Sequence, residues 1–183
     1  MRMNYFFIFL GLSILMFSCK RSEDKSMFLF FPKSEKDLKN NGYKYNSEAG
    51  FYSKVIGDTS ESIREFNKDS SFFSKHFYIK THSDNIDTVL SKIDNISRFI
   101  VANSSQVIFS HDYWKLLKID RYYFFVIFGF SSKRTFCLIQ YYNLRNSSDR
   151  NYCVKYLQSH LEPRPDSNTT NEIYKAIEYI KTY

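Results

Sequence analysis

Two runs past the middle of the chain, Tyr122 to Phe130 and Thr135 to Tyr142, are almost wholly aromatic, aliphatic or β-branched, and four polar residues, Ser131-Ser132-Lys133-Arg134, join them. Such runs favour extended backbone, and a short polar link between two of them reads as a hairpin. A hairpin with one wet face would alternate apolar and polar side chains. This one is nearly continuous in its apolarity, so both faces need cover and the pair belongs in the centre of a sheet.

The remaining segments supply that cover. From Asp84 to Ile100, the residues Ile86, Val89, Leu90, Ile93, Ile96 and Ile100 recur at steps of three and four, which makes one apolar stripe, with Asp87, Lys92 and Asp94 off it. Asp149 to Leu161 and Thr170 to Lys181 read as two C-terminal helices, parted by Glu162-Pro163-Arg164-Pro165, where the prolines forbid continuation. Thr169 and Glu172 have capping-box spacing, and Ile173, Ile177 and Ile180 give the last helix an apolar edge. Earlier segments are shorter. Met27 to Phe31, closed by Pro32, reads as a first strand, and Ser34 to Asn41 as a polar helix stopped by Gly42. Tyr43 to Tyr45 and Phe51 to Ile56 flank a turn-rich Asn46 to Gly50. Asp58 and Glu61 suggest a capped helix carrying Ile63 and Phe66 inward, and His76 to Thr81 and Gln106 to Ser110 are strand candidates. The expected fold is a single α+β domain, a mostly antiparallel sheet with a central aromatic hairpin packed by helices and two helices at the C-terminus. No internal repeat is visible in the residues. With 43% hydrophobic and 19% aromatic residues but only 5 Gly and 3 Pro in 183, collagen-like, linker-like and disordered chains are excluded.

The N-terminus carries a different message. Arg2 precedes an uncharged run from Tyr5 to Phe17, too short for the roughly 20 residues of a membrane-crossing helix, and the run ends at Ser18-Cys19-Lys20. A charged start, an apolar core and a small residue before a cut describe an export signal. Leu15-Met16-Phe17-Ser18-Cys19 resembles the lipobox of bacterial lipoproteins, in the relaxed form of Bacteroidota or spirochaetes, with Met16 and bulky Phe17 as its departures. That resemblance implies a signal peptide over residues 1–18 and a diacylglycerol on Cys19 as the first mature residue. Two acyl chains suffice for stable membrane anchoring, whereas one does not. The charged tether over residues 19–26, with Lys20-Arg21-Ser22-Glu23-Asp24, is similar to the segments that follow the Cys in surface-exported lipoproteins of Bacteroidota. It also lacks the Asp after Cys that marks inner-membrane retention in enterobacteria. The expected place is the cell envelope, at the outer membrane, with the globular domain over residues 27–183 on either its periplasmic or its surface side.

The net charge is +7. The excess lies at both ends with no basic block, and it fits the Lys- and Asn-rich usage of an AT-rich genome better than a nucleic-acid partner. In an oxidising envelope Cys137 and Cys153 can pair, closing a loop of about 15 residues that would contribute roughly 3 kcal/mol, or they can remain two buried thiols. Without a third Cys beyond the tether they cannot build a Cys-rich zinc site.

Residue patterns for chemistry are sparse. His76 and His82 stand at even spacing about one strand, a weak metal signal, and His111-Asp112 sets an imidazole next to a carboxylate whose side chain would face the other way in a strand. No Gly-x-Ser-x-Gly, His-Glu-x-x-His or phosphate-cradling Gly motif is present, and Ser22-x-x-Lys25 falls in the tether. No catalytic, metal or cofactor residues are assigned, and no cofactor is expected. Tyr113-Trp114, Tyr122-Tyr123 and Tyr141-Tyr142 offer contact surface if exposed and core if not. The Asn-x-Ser/Thr triplets at Asn95, Asn103, Asn146 and Asn168 would be glycan acceptors in a eukaryotic secreted protein, but the lipobox resemblance implies a bacterium, and in an Asn- and Ser-rich chain such triplets arise by chance. The expected function is a non-enzymatic envelope lipoprotein that binds a protein or surface ligand. A toxin-neutralising immunity lipoprotein and an enzyme with dispersed residues are the alternatives.

Overall fold

The computed structural model describes residues 25–64, 74–130, 136–162 and 165–183. The signal peptide, Cys19, most of the tether, Phe66 and the Ser131 to Arg134 link lie outside the described residues. The chain divides into two compact units, Met1–Phe30 and Phe31–Tyr183. In the first, a 3-10 turn spans Lys25–Leu29. This corrects the strand expected at Met27 to Phe31, where an apolar run too short to show a period was taken for extended backbone.

The second unit is an antiparallel sheet of eight strands between helices. Its helices are α1 (Glu35–Asn40), α2 (Ile86–Ala102), α3 (Ser147–Ser159) and α4 (Ser167–Lys181). The strands are β1 (Lys44–Asn46), β2 (Phe51–Ile56), β3 (Thr59–Arg64), β4 (Ser74–Lys80), β5 (Gln106–His111), β6 (Trp114–Ile119), β7 (Tyr122–Phe130) and β8 (Phe136–Asn143). They lie in the order β1-β2-β3-β4-β8-β7-β6-β5. Two four-stranded meanders, each preceded by a helix, therefore meet last strand to last strand, with β4 paired to β8. The hairpin β7–β8 is central and aromatic, as its composition demands.

Alternation along the strands sorts the two faces. On the first face Ile63, Phe77, Ile79, Ile139, Tyr141, Phe124, Val126 and Phe128 are buried, and α2 lies over β7 and β8 with Val89, Ile93, Ile96 and Ile100 inward. Phe31 adds a ring here, stacked on Phe124 at 4.6 Å. On the second face Trp114, Leu116, Phe125, Ile127 and Tyr142 form one cluster with Cys153 and Leu157 of α3 and Ile173, Ala176, Ile177 and Ile180 of α4. Both faces of the central hairpin are covered, and that cover is why β7 tolerates five consecutive buried residues, Phe124 to Phe128.

Three local readings change. Residues 59–64 form β3, not a helix. Gly57, at φ +56°, and Asp58 make a two-residue hairpin loop with Ile56 opposite Thr59, the place that a type II′ turn gives to glycine, and Thr59, Glu61 and Ile63 then alternate inward. Strand β6, Trp-Lys-Leu-Leu-Lys-Ile, was not anticipated, because its lysines recur at a helical interval. The last helix begins at Ser167 with Asp166 as its cap, accepting from the backbone N–H of Asn168 and Thr169 at 2.9 Å each, so the Thr169–Glu172 spacing is not the cap. Among the described residues no helix is long and apolar enough to cross a membrane.

Candidate functional site

The residues singled out in the sequence are dispersed. His76 is buried on the second face of β4 at 7% exposure, its ring 5.5 Å from that of Tyr142, and its nitrogens have no hydrogen bond among the described residues. Burial, with Arg64 adding to it, pushes its pKa down to about 4. His82 lies beyond β4 at the surface, 3.1 Å from the carboxylate of Asp58. His111 ends β5 with its ring flat against Trp114, at 5.3 Å and 10°. The three histidines do not meet. Among the described residues no group of three His, Cys, Asp or Glu side chains is placed to hold a metal ion.

The disulfide weighed for Cys137 and Cys153 is not formed, and both thiols are buried. Cys137 points to the first face, with Sγ 3.7 Å from the Val89 carbonyl oxygen, while Cys153 sits on α3 in the cluster over the second face. The sheet itself stands between them. Burial raises the Cys153 thiol further, so neither its exposure nor its acidity suits a nucleophile.

Two lysines of the sheet are buried in very different settings. Lys75 of β4 and Glu61 of β3 form an ion pair at 2.9 Å with both side chains at 0% exposure. The ammonium also lies 5.0 Å from the ring centre of Phe31 and 4.8 Å from that of Phe77. Burial lowers the pKa of Lys75, and Glu61 opposes that shift. Tyr43 and Tyr141 are both pushed up by burial and by the same carboxylate, so they remain neutral phenols around the pair. With no route to solvent, this group is an internal staple.

Lys115 of β6 is buried to 9% exposure but borders an opening. The turn at Asp112-Tyr113 sets Ser110 opposite Lys115 on the same face of the β5–β6 hairpin. The Lys115 Nζ donates to Ser110 Oγ at 3.0 Å and to the His111 carbonyl oxygen at 3.0 Å. Helix α2 presents Leu90, Ile93, Asp94 and Ser97, which line a cleft of about 390 Å³ with Ser110, Lys115 and the turn. That volume falls within the roughly 300–1,000 Å³ of small-molecule sites. Burial lowers the pKa of Lys115, and the carboxylates of Asp112 and then Asp94 partly offset it. Asp94 is held in turn by Arg98 at 2.7 Å. Neither Ser110 nor Lys115 was singled out by sequence. Reading His111 to Trp114 as a two-residue hairpin loop would have paired them.

The remaining candidate surface is aromatic and lies on the second face. On α3, Tyr152 stacks on Tyr142 at 4.6 Å and is followed by Tyr156 at 6.3 Å and then His160, 4.5 Å beyond Tyr156. Tyr179 of α4 and Tyr183, just beyond its end, share a hydroxyl hydrogen bond of 2.7 Å and pack against Phe109 and Tyr123 respectively. Tyr152 and Tyr174 keep 44% and 54% of their surface exposed. Of the tyrosine and tryptophan pairs in the sequence, Trp114, Tyr122, Tyr141 and Tyr142 are core, and Tyr113 is exposed.

No family model matches the chain, and neither a curated protein nor a solved structure matches it significantly.

Proposed function

We propose that this chain is an envelope lipoprotein, anchored at the outer membrane by a diacylglyceryl group on Cys19, whose α+β domain works by contact with a protein partner. The observation that carries the reading is Leu15-Met16-Phe17-Ser18-Cys19 at the end of a short uncharged segment behind Arg2, followed by a charged tether. The tyrosines along α3 and α4 support the contact half of the proposal. Tyr152 and Tyr174 offer large rings with a hydroxyl handle, the side-chain type enriched in protein interfaces, and Tyr152 is already held by its stacking on Tyr142.

Fractionation of cells making wild type or Cys19→Ala tests the anchor: wild type sediments with outer membrane, and the variant is released to the soluble fraction. A photo-crosslinking residue placed at Tyr152 or Tyr174 tests the contact face, with Lys36 on α1 as the comparison. A discrete crosslinked species from α3 and α4 but not from Lys36 is expected. Equal distribution of Cys19→Ala and wild type removes the anchor, and crosslinking that favours Lys36 moves the contact to the other face.

A further inference from the structure

The cleft beneath α2 goes beyond that reading, since nothing about anchoring or partner contact requires it. We propose that Ser110 is a nucleophile for acyl transfer, with Lys115 as its general base. Ser110 and Lys115 are joined by their arrangement in space, not by a sequence motif. Ser110 is exposed at the mouth of the cleft, and Lys115, nearly dehydrated behind it, holds its Nζ at 3.0 Å from the hydroxyl oxygen. A neutral lysine has two N–H groups and one lone pair. The His111 carbonyl oxygen, also at 3.0 Å, accepts from one N–H, and of the two directions that remain the lone pair can take the one toward Ser110. The same separation carries the ammonium form, in which Nζ donates to Oγ. A hydroxyl beside an amine that can take its proton is the minimum needed to activate serine.

The step balances without any further reagent but water. As the Ser110 Oγ–carbon bond forms, the carbonyl π bond opens onto oxygen and the hydroxyl proton passes to the Lys115 lone pair. Collapse breaks the bond to the leaving oxygen, which takes that proton from Nζ. Water repeats the sequence on the acyl-serine, giving its proton to Nζ, and Ser110 recovers a proton as the acid departs. The walls select the substrate class. Leu90 and Ile93 offer apolar surface, while Asp94 and Asp112 make the rim acidic. Small neutral or cationic carboxylic esters fit, and anionic acyl groups are repelled.

Dehydration favours the uncharged amine of Lys115, and the groups that face it set the working pH. These are Asp112 from the hairpin turn and Asp94, itself paired with Arg98, from α2, with Tyr113 also lining the cleft; His111 turns its ring to Trp114 and offers Lys115 only its carbonyl oxygen.

The test uses the full-length chain in detergent with a fluorophosphonate probe and p-nitrophenyl acetate. The expected result is one phosphonyl adduct on the peptide that contains Ser110, absent in Ser110→Ala. Lys115→Arg keeps a cation and most of the packing volume but cannot accept the proton, so labelling falls about 100-fold or more. The wild-type labelling rate climbs with pH through a midpoint below the ordinary lysine value near 10.4. A second variant guards against misfolding. Ser110→Cys labels with iodoacetamide, and adding Lys115→Met, which removes both the base and its charge, slows that reaction and moves its pH midpoint upward. No adduct at Ser110 in wild type overturns the proposal, as does labelling of Lys115→Arg at the wild-type rate with an unchanged pH profile. Neither result bears on Cys19, so this inference and the anchor stand or fall separately.

Discussion

Removing Lys75 is the most informative single perturbation of the fold. The ammonium and the Glu61 carboxylate are 2.9 Å apart with no exposed surface on either side chain, and two aromatic rings flank the cation within 5.0 Å. Lys75→Met replaces the stem with an apolar chain of similar length and leaves the carboxylate enclosed without its cation. Breaking a buried pair from one side costs about 3–5 kcal/mol, a third or more of the stability of an ordinary domain. Glu61→Gln strands the ammonium instead and is expected to cost a similar amount. Glu61→Gln with Lys75→Met removes both charges, so it should lose at least about 2 kcal/mol less than the sum of the singles. Guanidinium unfolding followed by the fluorescence of Trp114, which is buried at 2% exposure, measures all four corners of the cycle. Single variants that each cost under about 1 kcal/mol, or a double variant additive within about 0.5 kcal/mol, would refute the reasoning.

Three further outcomes follow from the same packing. His76 ionises near pH 4 when folded and near 6.5 when unfolded, so in that window the unfolded chain binds a proton that the folded chain does not. Its stabilising effect is complete above pH 6.5 and is lost as pH falls toward 4, a change on the order of 3 kcal/mol that His76→Phe should flatten in unfolding curves recorded across that range. With Cys19 replaced by Ala, Ellman's reagent should find no reactive thiol in the native protein and two after denaturation, and reductant should not move the melting temperature, since Cys137 and Cys153 form no disulfide and are buried; a native disulfide on a non-reducing peptide map would contradict this. At Gly57, φ is +56° and a new Cβ would meet nothing within 4 Å, so Gly57→Ala should cost about 1–2 kcal/mol through backbone strain alone, read by thermal melting.

What was legible in the sequence follows from how local its cause is. The Tyr122 to Phe130 run declares a doubly covered strand because both alternating sets of side chains are apolar, and α2 declares itself through one stripe from Val89 to Ile100. Residues 59–64 misled because Asp58 and Glu61 have the spacing of a helix cap. Glu61 can face inward only because Lys75 arrives from the next strand, a contact that no local pattern encodes. The two meanders repeat as topology while their residues do not, so the symmetry was invisible until β4 and β8 were seen paired. The Ser110–Lys115 cleft needed two long-range events, a tight turn at Asp112-Tyr113 and the approach of α2. Histidines and cysteines stand out by residue type, yet the sheet stands between the two cysteines and the histidines are dispersed along it.

The membrane anchor is the central claim about what this chain is for, and the mature N-terminus tests it most directly. Mass spectrometry of protein extracted from membranes, with and without the signal-peptidase inhibitor globomycin, reads that end of the chain. The expected result is a chain beginning at Cys19, carrying a diacylglyceryl mass on that residue, and its replacement under globomycin by an uncut lipidated precursor. A mature chain that begins elsewhere, or one with an unmodified Cys19 thiol, would contradict it.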